Sequence, residues 1–120
     1  MQTILVVEDE LGAIEVVATA LEDEGYRVLS AANGRHGLEK LAEGKVDLAV
    51  IDFMMPLLDG AGLGRAMQAE PAYRTIPIIM MSAVDETVVR ESFGGYAAFL
   101  RKPFRIPALI DTVRRVLSAS

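Results

Sequence analysis

Asp52 closes the apolar run Asp47-Leu48-Ala49-Val50-Ile51 and opens the turn Phe53-Met54-Met55-Pro56-Leu57-Leu58-Asp59-Gly60. A carboxylate at the carboxyl end of a buried strand is badly placed for packing and well placed for chemistry. Three other strand-end signals accompany it: Glu8-Asp9 after Ile4-Leu5-Val6-Val7, Ser82 after Ile78-Ile79-Met80-Met81, and Lys102 just after Phe99-Leu100. If one pocket gathers them, Glu8, Asp9 and Asp52 repel one another unless a cation intervenes. Against the single ammonium of Lys102 they leave two formal negative charges, which one divalent ion would cancel. Oxygen donors without nearby histidine or cysteine favour Mg2+, which keeps several waters and so has positions open to phosphoryl oxygens. Asp52 is then a candidate nucleophile for a phosphoryl group. Exchanging a carboxylate for an acyl phosphate adds about one negative charge. The Ser82 hydroxyl and Lys102 ammonium are the donors expected to meet that charge, pulling their loops toward Asp52, which makes the modification a switch.

The elements that must position these groups alternate five times between apolar runs and helical periods. Ile4–Val7 reads as a strand. Leu11, Ile14, Val17, Ala18 and Leu21 give a helix stopped by Gly25, and Tyr26–Ser30 a weaker second strand. Asn33-Gly34 marks a loop and cap before a short helix carrying Leu38, Leu41 and Ala42. Val46–Ile51 leads into the Asp52 turn, and the helix of Leu63, Ala66 and Met67 must end near Pro71. Ile76–Met81 is a fourth strand with proline at its start, where a missing donor is tolerated. Asp85-Glu86 opens a fourth helix through Val88 and Val89 to about Phe93. Ala97–Leu100 is the last strand, and Ile106, Leu109, Ile110, Val113 and Leu117 form an amphipathic fifth helix. Ser118-Ala119-Ser120 reads as a frayed tail. The pattern predicts an α/β fold: a flavodoxin-like, doubly wound (βα)5 parallel sheet in strand order 2-1-3-4-5. Its ligand crevice lies at the carboxyl ends of strands 1 and 3, where Glu8-Asp9 and Asp52 stand.

Composition narrows the function classes. The chain has 120 residues, is 52% apolar and contains no cysteine. That length suits one domain over 1–120, and that apolar content suits a sheet buried on both faces. Without cysteine there are no disulfides, thiolate metal sites or thiol nucleophiles. The apolar runs are strand-sized, well short of the roughly 20 residues of a membrane span, and Met1-Gln2-Thr3 lacks a basic leader, so no membrane contact and a cytoplasmic location are expected. A net charge of −5 argues against direct nucleic-acid binding. Arg101-Lys102, Arg105 and Arg114-Arg115 read as a protein-facing or solvated patch. His36 reads as a surface residue of the second helix, Asp59 as a turn stabiliser with Gly60, and Glu8-Asp9 as residues that also suit the first helix's N-terminus.

Val6-Val7-Glu8-Asp9-Glu10, Asp52 through Gly60, Met81-Ser82-Ala83 and Lys102-Pro103-Phe104 stand in the order and spacing of four signatures, and with them the chain resembles the receiver domain of bacterial two-component response regulators over nearly its whole length. The resemblance implies that Asp52 is the phosphoacceptor and Asp9 a direct Mg2+ ligand. It implies that Glu8 acts on the metal largely through water, and that the Met54 carbonyl is a further ligand. Ser82 and Lys102 would bind the phosphoryl group, and Phe99 would be the aromatic whose rotamer follows Ser82. The expected donor is a sensor histidine kinase or phosphotransfer protein, and the expected output a downstream protein target on the helix 4, strand 5 and helix 5 face. The expected role is a phosphorelay signalling module, with self-catalysed transfer and slow autodephosphorylation, rather than an enzyme in the ordinary sense.

Some positions vary within the pattern. Glu8 stands where many receivers have aspartate, Ser82 replaces the commoner threonine, and Phe99 the commoner tyrosine, so Phe99 cannot donate a hydrogen bond. Met54 and Val84, two residues past Asp52 and Ser82, are apolar where the family tends to admit or exclude attacking water, which predicts a long-lived phosphoaspartate. Ala97-Ala98 replaces acidic residues that support dimers in DNA-binding relatives, so a monomer or weak phosphorylation-dependent dimer is expected. Met1 and an end just past the fifth helix point to a single-domain regulator, the alternatives being a module excised from a larger regulator or hybrid kinase, or a pseudo-receiver that only binds partners. A flavoprotein of the same fold would place a flavin phosphate against Glu8-Asp9-Glu10, and an aspartate-nucleophile phosphatase would have a second aspartate where Met54 stands.

Overall fold

Every residue of Leu48–Asp52 and Ile78–Ser82 is buried, a pattern that needs a sheet covered on both faces. In the computed structural model, which describes residues 1–119, these are β3 and β4. The order is β1 (Thr3–Val7), α1 (Leu11–Asp23), β2 (Arg27–Ala31), α2 (Gly34–Glu43), β3, α3 (Gly60–Ala69), β4, α4 (Glu86–Ser92), β5 (Ala98–Arg101) and α5 (Ile106–Ala119). All strand pairs are parallel and the sheet runs β2-β1-β3-β4-β5, the expected flavodoxin-like order.

Alternation along the strands divides the core in two. Leu5, Val7, Ala49, Ile51, Ile78 and Met80 pack with α2, α3 and α4 through Leu41, Leu63, Met67 and Val89. Ile4, Val6, Leu48, Val50, Ile79 and Met81 pack with α1 and α5 through Val17, Leu21, Leu109 and Val113. Burying each such side chain is worth about 1.5–3 kcal/mol, against roughly 0–1 for an exposed ion pair, so the two apolar layers set the fold. By the same alternation Asp52 lies on the α1/α5 side of the sheet, whereas Ser82 and Phe99 lie on the side of α4.

Local signals act where the sequence places them. Gly25 ends α1 at φ 94°, in the left-handed region that glycine enters freely. Asn33 caps α2 by accepting from the His36 N–H at 2.8 Å. Asp59 caps α3 through the Gly62 N–H at 2.7 Å, a firmer role than turn stabilisation.

Several expectations need correction. Leu11 opens α1 at 73% exposure and Val88 is 49% exposed, so neither belongs to a buried helix face; Ala42 is exposed as well. The first helix is preceded by Glu10, with no side-chain cap from Glu8 or Asp9. Val46 and Pro77 precede their strands, because the ladder of β3 and β4 starts later than the apolar runs do. Ser118 and Ala119 continue α5 instead of fraying, and Ser120 lies outside the described residues. The basic residues form no single patch: Arg101 pairs with Asp85, Arg114 with Glu24 and Arg115 with Asp111.

Candidate functional site

Strand register brings the predicted groups to one edge. Val7 pairs with Ile51, so Glu8 stands level with Asp52; Asp52 pairs with Met81 and Ser82 with Arg101, so Ser82 and then Lys102 stand one step further along. Backbone bonds from Glu8 N to Ala31 O (3.0 Å), Phe53 N to Met81 O (2.8 Å) and Lys102 N to Ser82 O (2.8 Å) carry the ladder just past the last strand residues. The β3–α3 turn closes tightly over this edge. A side chain at Gly60 would come within 2.5 Å of the Asp52 carbonyl oxygen, so glycine is what lets α3 start there. Exposed Leu57 holds the turn in a left-handed conformation at φ 68°, and the Lys102–Pro103 peptide is cis.

Glu8, Asp9 and Asp52 each place a carboxylate oxygen within 4.8 Å of the others. Glu8 and Asp52 are buried at 3% and 6% exposure, whereas Asp9 is open to solvent. The Lys102 ammonium donates to Glu8 Oε1 at 2.5 Å and lies 2.9 Å from Asp52 Oδ1. Glu8 Oε2 accepts from the Glu10 N–H at 3.3 Å, so its longer arm spans from the backbone of the β1–α1 loop to Lys102. Ser82 is buried, and its Oγ accepts from the Val84 N–H at 3.0 Å, holding the loop that leads into α4.

The electrostatics follow. Burial pushes the Asp52 carboxyl up to about 6; the bond from Lys102 opposes this, and the charges of Glu8 and Asp9 add to it. Burial lowers the Lys102 ammonium, but the bonds to Glu8 and Asp52 outweigh it and leave the group above its ordinary value. Two buried carboxylates sharing one cation, with a third beside them, form a site with uncompensated negative charge. An oxygen-liganded divalent cation fits that donor set and its charge, with Glu8, Asp9 and Asp52 as the side chains that would hold it. Around it lies a shallow recess lined by Asp9, Phe53, Met54, Met55, Pro56 and Asp59. A second is lined by Glu10, Ala13, Val17, Ala83, Lys102 and Phe104.

The structure thus gathers Glu8, Asp9, Asp52 and Lys102, places Ser82 on the neighbouring strand end, and leaves Met54 in the loop at 64% exposure. Phe99 stands apart from the carboxylates, half-buried on the α4 side and paired in register with Met80. Sequence reasoning missed Arg101, whose Nε donates to Ala83 O and whose Nη1 donates to Asp85, both at 2.9 Å, joining the end of β5 to the loop after β4. It also missed His36, whose Nδ1 accepts from the Ala32 N–H at 3.3 Å. Neither pairing has a signal in local sequence.

Known proteins share this fold. The profile of the family described as response regulator receiver domain matches residues 4–114. The phosphate regulon transcriptional regulatory protein PhoB of Pseudomonas aeruginosa is 33% identical over 97% of this chain and 52% of its own length. The chain spans about half the length of the first curated relatives it matches. Chemotaxis protein CheY4 of Vibrio cholerae superposes with a TM-score of 0.91 at 30% identity, over 97% of this chain and 98% of that one. The receiver domain of sensor histidine kinase PA1611 from Pseudomonas aeruginosa, solved with a magnesium ion coordinated in its active-site cleft, has a TM-score of 0.89 at 29% identity over 98% of each chain.

Proposed function

The chain belongs to the response regulator receiver-domain family, and from that premise we propose that Asp52 accepts a phosphoryl group from the phosphohistidine of a sensor histidine kinase or phosphotransfer protein. The N–P bond of the donor breaks as an Asp52 carboxylate oxygen forms the O–P bond. The observation that carries this reading is the buried Asp52 carboxylate 2.9 Å from Lys102 in a cluster with surplus negative charge. Receiver domains are signalling domains that work with histidine kinases and downstream effectors.

Each residue then has a task. Asp52 attacks; the Lys102 ammonium, now shared by two carboxylates, turns to meet the charge of the transferred group. Ser82 gives up the Val84 N–H to donate its own hydroxyl to the phosphoryl oxygens, which frees the loop into α4. Glu8, Asp9, Asp52 and the Met54 carbonyl would hold Mg2+, which neutralises negative charge on the transferred group. Glu8 also steers Lys102, because its Oε1 accepts from the ammonium directly. The resulting change at the α4–β5–α5 face alters affinity for a protein target. We assign the module to residues 1–120, in the cytoplasm, and as a monomer or weak dimer. Among the described residues no helix is long and apolar enough to cross a membrane.

Apolar Met54 and half-buried Val84 flank the acceptor and give attacking water no polar foothold, so the acyl phosphate is long-lived. Met54→Asn should speed its hydrolysis several-fold, by mass spectrometry of the decaying species; an unchanged or slower rate contradicts this. The reading as a whole is tested by brief incubation with acetyl phosphate and Mg2+. A labile mass gain present in the wild type and missing in Asp52→Asn supports it, and no gain in the wild type rejects it.

A further inference from the structure

Phe99 is a hydrocarbon ring. It can press on its neighbours but cannot hold one by a hydrogen bond. The ring beside it is Tyr96, with centroids 6.1 Å apart and planes inclined by 45°. Tyr96 stands in the connection just before β5, half-buried, and its hydroxyl donates to Glu86 Oε2 at 2.7 Å. The same oxygen accepts from Arg90 Nη2 at 2.8 Å. Glu86 is the first residue of α4, so the pair joins the start of β5 to the start of that helix.

α4 is a helix that such a tether can move. It has 7 residues and buries Val89 alone, which leaves it with little packing of its own. The Glu86–Arg90 pair is a weak i,i+4 contact by itself. Arg90 matters here because it fixes the carboxylate that Tyr96 grips. Burial first, and then the bond to Glu86, hold the Tyr96 phenol above its ordinary value, so it stays a donor at neutral pH. Ser82 lies on the same side of the sheet as Phe99 and grips the loop into α4 through Val84.

We infer that Tyr96 is a positioning residue of the switch: its hydroxyl, seated on Glu86, carries a movement of the Phe99 ring to the first turn of α4 and supplies the polar coupling that Phe99 lacks. This rests on the phosphoacceptor reading of Asp52. When the Ser82 hydroxyl leaves Val84 for the phosphoryl group, the space on the α4 side changes shape and Phe99 shifts. Tyr96 follows its neighbour, and Glu86 follows Tyr96. Output at α4 is therefore transmitted by a hydrogen bond and not by ring packing alone.

Beryllofluoride with Mg2+, added to the full chain, tests this without a kinase. Nuclear magnetic resonance follows the aromatic carbons of Phe99 and the α4 amides of residues 86–92 in the wild type, Tyr96→Phe, Glu86→Ala and the double variant. Tyr96→Phe keeps the ring and removes only the hydroxyl. The expected result is that Phe99 responds in all four proteins, while the α4 response falls by about twofold or more in either single variant and no further in the double. Melting curves of the unliganded proteins separate this from simple loss of stability: a lowered Tm with an undiminished α4 response overturns the inference. So does an α4 response in Tyr96→Phe equal to that of the wild type. If the wild type binds no beryllofluoride, the phosphoacceptor reading fails and the tether falls with it; if it binds and the tether variants respond normally, the tether alone is wrong.

Discussion

β3 is flanked by an aspartate at each end, and the fold treats them in opposite ways. Asp47, ahead of the strand, makes two hydrogen bonds to the Thr3 backbone: its carboxylate accepts from the Thr3 N–H at 2.8 Å and its own N–H donates to the Thr3 carbonyl at 2.8 Å. Its other oxygen lies 3.8 Å from exposed Lys45. That carboxylate is a staple between neighbouring strand starts. Asp52, at the far end, is buried and depends on an ammonium that Glu8 also holds. A carboxylate's role here is set by how much positive partner it is given. The amino edge satisfies its charge; the carboxyl edge holds a surplus that a proton, a cation or a modification can settle.

The comparison makes predictions that differ in size. The largest is functional: Asp52→Asn should abolish phosphoryl loading from acetyl phosphate, while Asp47→Asn leaves it intact by mass spectrometry. Next, Lys102→Ala leaves buried Glu8 and Asp52 without their ammonium and should lower unfolding stability by about 2–4 kcal/mol at pH 7. Adding Asp52→Asn to it should recover part of that loss in a denaturant titration.

The two aspartates should then differ in sign. The Asp52 carboxyl is raised from 3.8 to about 6 in the folded protein, so the fold holds that proton more tightly than the unfolded chain does. Its contribution to stability is complete below the unfolded value and is lost as pH rises through 6. Asp52→Asn imitates the protonated form and should be more stable than the wild type by on the order of 1–3 kcal/mol at pH 7, with the gap closing toward pH 4. Asp47→Asn loses a charge-assisted bond and should be less stable by about 0.5–1.5 kcal/mol at pH 7. Urea titrations across pH would show the crossing of signs; two variants that move together would remove the distinction between the edges.

Much of this was legible in sequence, for a physical reason. Strand ends announce themselves when a buried apolar run meets a charge, and Asp52 and Glu8 are such meetings, with Lys102 one residue past another at Arg101. What sequence could not supply was the individual side-chain bonds outside the pocket. Apolar runs overstate strands by a residue or two, as at Val46 and Pro77, because burial begins before the ladder does. Leu11 and Val88 fit a helical period yet face solvent, because period alone does not say which face a neighbour covers. Arg101 reads in sequence as one of a basic group, whereas Ala83 and Asp85 hold it, and nothing in the sequence around Tyr96 points to its bond with Glu86.

On the proposed function, surplus negative charge at the carboxyl edge makes a magnesium site that depends on Asp52. Thermal unfolding at pH 7 across a magnesium titration, in the wild type, Asp47→Asn and Asp52→Asn, tests it most directly. The account predicts that Tm rises with Mg2+ in the wild type and in Asp47→Asn, and far less in Asp52→Asn. An equal rise in all three proteins, or no rise in the wild type, would contradict it.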